Sequence, residues 1–160
     1  MRQRELYLLL GSNLGDRKAN MEAALLALDS VFGARLRLSP IVETEACGFD
    51  GPPFLNAVVV YSSGRKPLNI LKICKRIERS LGRTDAPEYA PDGSRIYHDR
   101  CIDIDILLYG ELLVDTPELT IPHPQVESRA FVSPLLASVR KKHRRASLPA
   151  AAAADQPCTR

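Results

Sequence analysis

Two aspartates, Asp103 and Asp105, stand two residues apart inside the segment RCIDIDILLYG, residues 100–110. The rest of the segment is apolar, partly β-branched and closed by a glycine, a pattern that predicts a buried strand. Strand side chains alternate between two faces, so both carboxylates point the same way, with roots roughly 6 to 7 Å apart. The three isoleucines of the segment take the opposite face, which we expect to pack on a core.

Two like charges this close repel each other, so the pair needs something opposite it. A pair of glycosidase acids is disfavoured, because neighbours on one strand flank a sugar poorly. A calcium site is disfavoured because its glycine-punctuated ligand loop is missing. A structural network with Lys or Arg and a seat for one or two Mg²⁺ ions both stay open. Mg²⁺ needs few carboxylates, since water and substrate phosphates fill its other positions.

Cations around the strand favour a phosphate-bearing substrate. Arg83 begins the long polar loop before the strand, Arg100 immediately precedes it, and His123 and Arg129 follow it. A polyphosphate needs such groups because the charge on a transferring phosphoryl group must be neutralised. The sequence contains no G-x-x-x-x-G-K-[ST] motif, which excludes the usual P-loop nucleotide fold.

Length and composition bound the class of protein. The chain has 160 residues and 45% hydrophobic content, which predicts one globular domain with a proper core. It has no run of eighteen apolar residues, and its first residues are charged. We therefore expect neither a membrane span nor a signal peptide. We expect a cytoplasmic location. The cysteines form no C-x-x-C pair, so neither a zinc site nor a disulfide framework is indicated. We expect reduced, mostly buried thiols at Cys47, Cys74, Cys101 and Cys158.

Charge is unevenly distributed along the chain. Residues 140–160 hold six Lys or Arg against one acid, a contribution of +5, whereas the whole chain carries +3. Residues 1–139 therefore carry −2, which argues against general nucleic-acid binding. We predict a domain over residues 1–139 and a basic, alanine-rich, disordered tail over residues 140–160.

The body alternates strands and helices. ELYLLLG predicts a short strand that ends at Gly11, and Ser12 or Asn13 is expected to cap the helix that follows. LRLSPIVETE and FLNAVVVYSS predict two strands that pair antiparallel. A second helix is predicted to open at Pro67 and stop at Gly82. We expect its buried face to contain Leu68, Leu71, Cys74, Ile77 and Leu81.

The element order is therefore β-α-β-β-α-β, with an added hairpin near ELLVD and a last helix over about residues 125–138. This order predicts an α+β fold of ferredoxin-like plan, an antiparallel sheet with helices packed on one face. The isoleucine side of the aspartate strand would meet the helices, and the aspartates would line the open face. The long loop before the strand is typical of lids, binding loops or disordered segments.

Five segments, in this order, resemble one known family: LLLGSNLGDR, FLNAVVV, RIERSLGR, DRCIDIDILLYG and LTIPHPQVESRAFVSPL. They are similar to the 6-hydroxymethyl-7,8-dihydropterin pyrophosphokinases of folate biosynthesis, in register from about residue 6 to residue 137. The resemblance implies Mg²⁺-dependent transfer of the pyrophosphoryl group of ATP to the hydroxymethyl oxygen of the dihydropterin, leaving AMP. It also implies that Asp103 and Asp105 bind two Mg²⁺ ions.

The same resemblance assigns the other site residues. Arg83 and Arg100 resemble the arginines that contact phosphates and support the transfer. The positions that match the nucleotide site are Glu78, Arg100, Thr120, His123 and Arg129. Those that match the pterin site are Thr44, Cys47, Asn56 and the two aromatics that sandwich the ring, Phe54 and Phe131.

Two other functions are weighed against this interpretation. A Mg²⁺-dependent nucleotide hydrolase would use the same acids without a pterin. A ferredoxin-like RNA-binding module needs exposed aromatics with basic neighbours on its sheet, where this chain carries two aspartates. The family interpretation implies ATP and a pterin as small-molecule substrates. We also expect a monomer, with no nucleic-acid or membrane partner.

Overall fold

The structure is a computed structural model that describes residues 2–82, 88–96 and 100–141. Strands and helices alternate along these residues. The strands are β1 (Arg4–Ser12), β2 (Arg37–Leu38), β3 (Val42–Thr44), β4 (Phe54–Ser63), β5 (Glu88–Tyr89), β6 (Arg95–Ile96), β7 (Asp103–Tyr109), β8 (Val114–Asp115) and β9 (Thr120–Ile121). The helices are α1 (Arg17–Phe32), α2 (Pro67–Ser80), α3 (Gln125–Ser128) and α4 (Val132–Val139). Among the described residues, no helix has the length and apolar content needed to cross a bilayer.

One antiparallel sheet organises the molecule. Its strand order is β2-β4-β1-β7, and β3 also pairs with β4. The α+β class with an antiparallel sheet is therefore confirmed, as is the pairing of the two predicted central segments. The first of these segments is divided into β2 and β3 on either side of Pro40, whose missing N–H cannot join a ladder.

The helices α1 and α2 cover one face of the sheet, called here the helix face. The alternate residues Leu6, Leu8 and Leu10 of β1 are fully buried there. The isoleucines at 102, 104 and 106 join the same core, which confirms the predicted orientation of the aspartate strand. Each such side chain contributes about 1.5–3 kcal/mol by leaving water, so the register of this strand is strongly fixed.

The opposite face, called here the site face, is not bare. Helix α4 packs on it through apolar side chains, against alternate residues of β1 and β4. These contacts join Val132, Leu135, Leu136 and Val139 to Tyr7, Leu9, Val58 and Val60. The prediction that the helices pack on one face was therefore wrong, because β1 and β4 are apolar on both faces and bury both.

Two predictions about the chain around the start of the first helix were wrong. Strand β1 continues through Gly11 to Ser12 instead of ending at the glycine. Asp16, not Ser12 or Asn13, caps α1, since its carboxylate accepts a hydrogen bond from the backbone N–H of Ala19 at 3.0 Å. An aspartate satisfies this position as well as Ser or Asn does.

The other helices also differ in detail. In α2 the buried stripe is turned from the predicted one: Leu68 is 44% exposed, whereas Ile70 and Ile73 are buried. The segment predicted as one last helix forms two helices, α3 and α4, which are separated by residues 129–131. The added hairpin is confirmed as β8 and β9, and a second short hairpin, β5 and β6, lies within the long polar loop. The predicted tail lies outside the described residues beyond residue 141.

A polar cluster ties the end of α4 to the sheet. Glu5 accepts hydrogen bonds from the Tyr7 hydroxyl and the Arg37 guanidinium, both at 2.7 Å, and Lys141 lies 3.2 Å away. Arg37 also donates to the carbonyl of Val139 in the last turn of α4. Burial by itself would raise the pKa of Glu5, but the Tyr7 and Arg37 hydrogen bonds and the nearby positive charges hold that pKa at about 2.

We expect Glu5→Gln to lower the free energy of unfolding at neutral pH by about 1 kcal/mol or more. Because the folded-state pKa is depressed, the contribution is fully present above the ordinary value of 4.5 and is lost as pH falls towards 2. Urea denaturation between pH 7 and pH 2 measures the difference between variant and parent. Glu22→Gln, an exposed change on α1, is the control. A difference that stays constant down to pH 2 would contradict the prediction.

Candidate active site

A cleft opens on the site face beside α4, where the ends of β1, β4 and β7 meet. The loop before β4 forms one wall, and the segment from α3 to the start of α4 forms another. The lining residues are Leu9, Gly11, Thr44, Cys47, Phe49, Phe54, Asn56, Arg100, Asp103, Asp105, Gln125, Arg129 and Phe131. The cleft thus has an acidic side on β7 and an aromatic side formed by the loop, β4 and the residue that precedes α4.

Both aspartates of β7 face this cleft. Their side chains are only 17% and 20% exposed, for Asp103 and Asp105 respectively. The Arg100 guanidinium lies 2.9 Å from an Asp103 oxygen. Asp105 faces the Gln125 side-chain amide at 3.4 Å and His123 Nε2 at 4.0 Å.

The acidic side is electrostatically strained. Burial, followed by the charges of Asp103 and Glu78, raises the pKa of Asp105 well above its ordinary value. A carboxyl in this position is costly to ionise unless positive charge arrives. The repulsion between the two aspartates that the sequence predicts is therefore present in the folded protein, and Arg100 relieves it only in part.

The donor set fits Mg²⁺. Among the described residues, no group of three or more His, Cys, Asp or Glu side chains is arranged to hold a metal. Two carboxylates on one strand nevertheless suit an ion that keeps several waters and binds substrate phosphates. Their mutual repulsion is what a divalent cation would relieve.

His123 lies next to the acidic side as a neutral donor. Its Nδ1 accepts the backbone N–H of Gln125 at 3.1 Å, so the proton of the neutral ring is on Nε2, the nitrogen facing Asp105. Burial lowers the pKa of His123, and Arg129 acts in the same direction against the opposing effect of Asp103. At neutral pH the ring therefore offers an N–H rather than a full positive charge.

The aromatic side surrounds a buried amide. Asn56 is 5% exposed, and its Nδ2 donates to the Thr44 hydroxyl at 2.6 Å. This bond fixes the plane of the amide. Phe54 and Phe131 line the same space, and Phe49 packs edge-on against Phe54 with ring centroids 6.3 Å apart.

Asn13 joins the two sides of the cleft. Its backbone N–H donates to the Arg100 carbonyl at 3.0 Å, and its Oδ1 accepts the Arg100 backbone N–H at 2.6 Å. Its Nδ2 donates to the Pro52 carbonyl at 3.1 Å. This 2% exposed side chain therefore positions both the arginine and the loop, a role that helix-cap reasoning did not predict.

Most of the predicted site residues meet in the cleft. Nine of them line it: Thr44, Cys47, Phe54, Asn56, Arg100, Asp103, Asp105, Arg129 and Phe131. His123 contacts it through Asp105. Thr120 is exposed on β9 and does not line the cleft. Arg83 lies outside the described residues.

Glu78 lies on the helix side of β7. It is fully buried, and its Oε1 accepts the backbone N–H of Ile104 at 2.8 Å, between the two aspartates along the chain. Lys75 lies 3.3 Å from its other oxygen. In this structure Glu78 supports the aspartate strand and does not line the cleft.

Four lining residues were not predicted as site residues: Leu9, Gly11, Phe49 and Gln125. Gly11 carried a signal, since it stands next to apolar strand residues, but it was interpreted as the end of the strand. Gln125 and Phe49 carry no local signal, because a polar residue in the first turn of a helix and an aromatic in a loop are common. Their place at the site comes from chain segments far apart in sequence.

Comparisons with known proteins show which sequences this chain is similar to. Residues 7–141 match the family model described as 7,8-dihydro-6-hydroxymethylpterin-pyrophosphokinase. A Porphyromonas gingivalis protein named 2-amino-4-hydroxy-6-hydroxymethyldihydropteridine pyrophosphokinase is 50% identical over 136 residues, 84% of this chain and 89% of that protein. A Pseudomonas aeruginosa protein of the same name is 36% identical over 129 residues, 79% of this chain and 75% of that protein. The folic acid synthesis protein fol1 of Schizosaccharomyces pombe is 40% identical over 134 residues, 82% of this chain but 17% of that longer protein.

Proposed function

Because this chain belongs to the 7,8-dihydro-6-hydroxymethylpterin-pyrophosphokinase family, we propose that the cleft on its site face is where the reaction of that family takes place. The activity is transfer of the pyrophosphoryl group of ATP to 6-hydroxymethyl-7,8-dihydropterin in folate biosynthesis, which gives the pterin diphosphate and AMP. The observation that carries the placement is the meeting of a carboxylate pair and an aromatic-lined buried amide in one cleft.

The acidic side is the proposed phosphate site. Asp103 and Asp105 would hold two Mg²⁺ ions, which would supply neutralisation of the triphosphate charge and orientation of the attacking hydroxyl. The hydroxymethyl oxygen forms a bond to the β-phosphorus and loses its proton to solvent, as the bond from that phosphorus to the oxygen of AMP breaks. The two carboxylates fix where this exchange happens because they project from a rigid, buried strand.

Three cationic or N–H-bearing side chains complete the phosphate site in this proposal. Arg100, already 2.9 Å from Asp103, is placed to donate to phosphate oxygens next to the metal-binding acids. Arg129 lines the same cleft. His123 in its neutral form carries its proton on Nε2 and donates through that nitrogen. None of these groups needs to form a covalent intermediate, since the chemistry is positioning and charge neutralisation.

The aromatic side is the proposed pterin site. Asn56 uses Nδ2 for Thr44, so its Oδ1 is left to accept a hydrogen bond from the edge of the ring. Phe54 and Phe131 offer faces to a flat heterocycle, and Cys47 borders it from the loop. A ring held here points its substituent across the sheet towards β7, where the acids lie.

Several assignments rest on the sequence resemblance alone. These are the catalytic role of Arg83 and the ATP-binding roles of Thr120 and Glu78, which stay predictions. Glu78 would influence the site through its hydrogen bond with the Ile104 backbone N–H. We also propose the ferredoxin-like plan, supported by the strand order around β1. A monomeric state, a cytoplasmic location and the absence of nucleic-acid and membrane partners stay predictions.

The activity is tested by incubating the protein with ATP and Mg²⁺, with and without 6-hydroxymethyl-7,8-dihydropterin, and measuring AMP. We expect one AMP per pterin diphosphate, none without the pterin, and none after chelation of Mg²⁺ with EDTA.

The same assay separates the rival functions. Phosphate release that does not depend on the pterin would favour the nucleotide hydrolase. RNA binding with no turnover of ATP would favour the binding module, and the account of the cleft would then be wrong.

A further inference from the structure

The turn that follows β1 lies between the two sides of the cleft. Strand β1 is flanked by β4 and β7, and both neighbours run antiparallel to it. The end of β1 therefore lies beside the start of each neighbour, where Phe54 begins β4 and Asp103 begins β7. The first residue after β1 is Asn13, so its side chain is within reach of the aromatic side and of the acidic side.

The Asn13 amide uses its two ends on different sides of the cleft. Its Oδ1 accepts the backbone N–H of Arg100 at 2.6 Å, three residues before Asp103. Its Nδ2 donates to the carbonyl of Pro52 at 3.1 Å, two residues before Phe54. A short amide can make both bonds because it carries an acceptor and a donor side by side. An ionised aspartate could make only the first bond, and an alanine could make neither.

Further hydrogen bonds hold each end of this bridge. Asn13 is 2% exposed, and its backbone N–H donates to the Arg100 carbonyl at 3.0 Å, which doubles the link to the acidic side. On the aromatic side, the Arg17 guanidinium donates to the Pro53 carbonyl at 2.9 Å and lies 3.0 Å from Glu43. A displacement of the backbone on one side of the cleft therefore acts on the other side through the Asn13 amide.

We propose that Asn13 is a positioning residue that couples the two substrate sites, so that the affinity for the pterin depends on whether the phosphate site is occupied. The inference rests on the proposed function and adds a residue to it. Asn13 acts through backbone groups, because it is not among the described residues that line the cleft. A nucleotide bound by Arg100 restrains the backbone of that arginine, and the amide passes the restraint to Pro52 and the start of β4. Because both substrates need these segments held in place, the first to bind makes the second bind more tightly.

The test measures this coupling directly. The dissociation constant of 6-hydroxymethyl-7,8-dihydropterin is measured by fluorescence titration, first without nucleotide and then with saturating Mg²⁺ and α,β-methylene ATP, whose reacting bond is blocked. In the parent protein the nucleotide analogue should tighten pterin binding about fivefold or more. In Asn13→Ala, which loses both side-chain bonds, the ratio of the two constants should fall below about twofold.

A second variant separates the two halves of the bridge. Asn13→Asp keeps an acceptor for the Arg100 N–H but has no donor for the Pro52 carbonyl. Its ratio should also fall below about twofold, since coupling needs both bonds. This variant keeps the buried N–H of Arg100 paired, so it tests the inference even if Asn13→Ala does not fold.

Two controls change neighbouring side chains. Asn20→Asp makes the same chemical change at the start of α1, where Nδ2 donates to the Leu14 carbonyl at 2.8 Å, and should keep the parent ratio. Arg17→Ala releases Pro53 on the aromatic side. It should weaken pterin binding by a similar factor with and without the nucleotide analogue, and so also keep the ratio.

A parent-like ratio in both Asn13 variants would overturn the inference, as would a parent protein that binds the pterin equally well in the two conditions. A lowered melting temperature with weaker binding of both ligands but an unchanged ratio would also overturn it, since the amide would then be only structural. If the parent protein binds no pterin in either condition, the proposed function fails instead, so the two failures are distinguishable.

Discussion

Asp105→Ala should reduce pyrophosphoryl transfer by about three orders of magnitude or more, since it removes a carboxylate from the proposed metal seat. Asp103→Ala should have a similar effect. Affinity for the pterin should change much less, because Asn56 and the aromatic side are untouched. Steady-state AMP formation at saturating Mg²⁺ measures the first quantity, and pterin titration measures the second.

Stability distinguishes this role from the structural alternative. The pKa of Asp105 is raised by burial and by the charges of Asp103 and Glu78, so the folded state prefers the protonated form. The cost of the charged form grows as pH rises above the ordinary value of 3.8. Asp105→Asn should therefore melt at a higher temperature than the parent at pH 7, in buffer without divalent ions, while losing activity.

Asp115→Ala is the matched control, because it removes an exposed aspartate from β8. It should leave both activity and melting temperature close to those of the parent. A fall in the melting temperature of Asp105→Asn, together with loss of pterin binding, would show that the pair is a structural network. That alternative was left open by the D-x-D pattern.

Asn56→Ala should weaken pterin affinity by about tenfold to a hundredfold, because it removes the buried amide that we propose binds the edge of the ring. The ATP affinity should be nearly unchanged, since Asn56 lies on the aromatic side of the cleft. Fluorescence titration of the pterin with a non-hydrolysable ATP analogue present measures the effect.

Two variants sharpen this result. Thr44→Val keeps Asn56 but removes the hydroxyl that accepts from its Nδ2, so it should weaken binding less. Asn69→Ala changes an exposed asparagine on α2 and should leave pterin affinity unchanged. Parent-like pterin affinity in Asn56→Ala would remove this residue from the site.

The sequence by itself determined the features that depend on local periodicity. The alternation of Asp103 and Asp105 with three isoleucines was enough to assign the two faces of β7, because strand side chains repeat every two residues. The order of strands and helices and the antiparallel pairing followed from the same patterns. Family resemblance added predicted side-chain roles, such as pterin binding by Asn56, that no local pattern could have supplied.

Features that depend on contacts between distant segments were decided by the tertiary structure. Helix α4 covers part of the site face, although its apolar residues alone do not say which surface they will meet. Glu78 has the polarity of a surface residue but is buried, where it satisfies an N–H at the edge of β7. The buried face of α2 is also rotated relative to the predicted one, so that Leu68 is exposed.

Gly11 on β1 pairs with Asn56 on β4 and with Asp103 on β7, and this row of three residues shows the physical reason most clearly. A strand can slide past its neighbour by two residues without changing which face its side chains occupy, so periodicity fixes the face but not the register. Register is set by the packing of whole elements, here by the burial of β1 between two layers. The sequence determined that the acids share a face, and only the folded sheet decided that a glycine separates them from the amide.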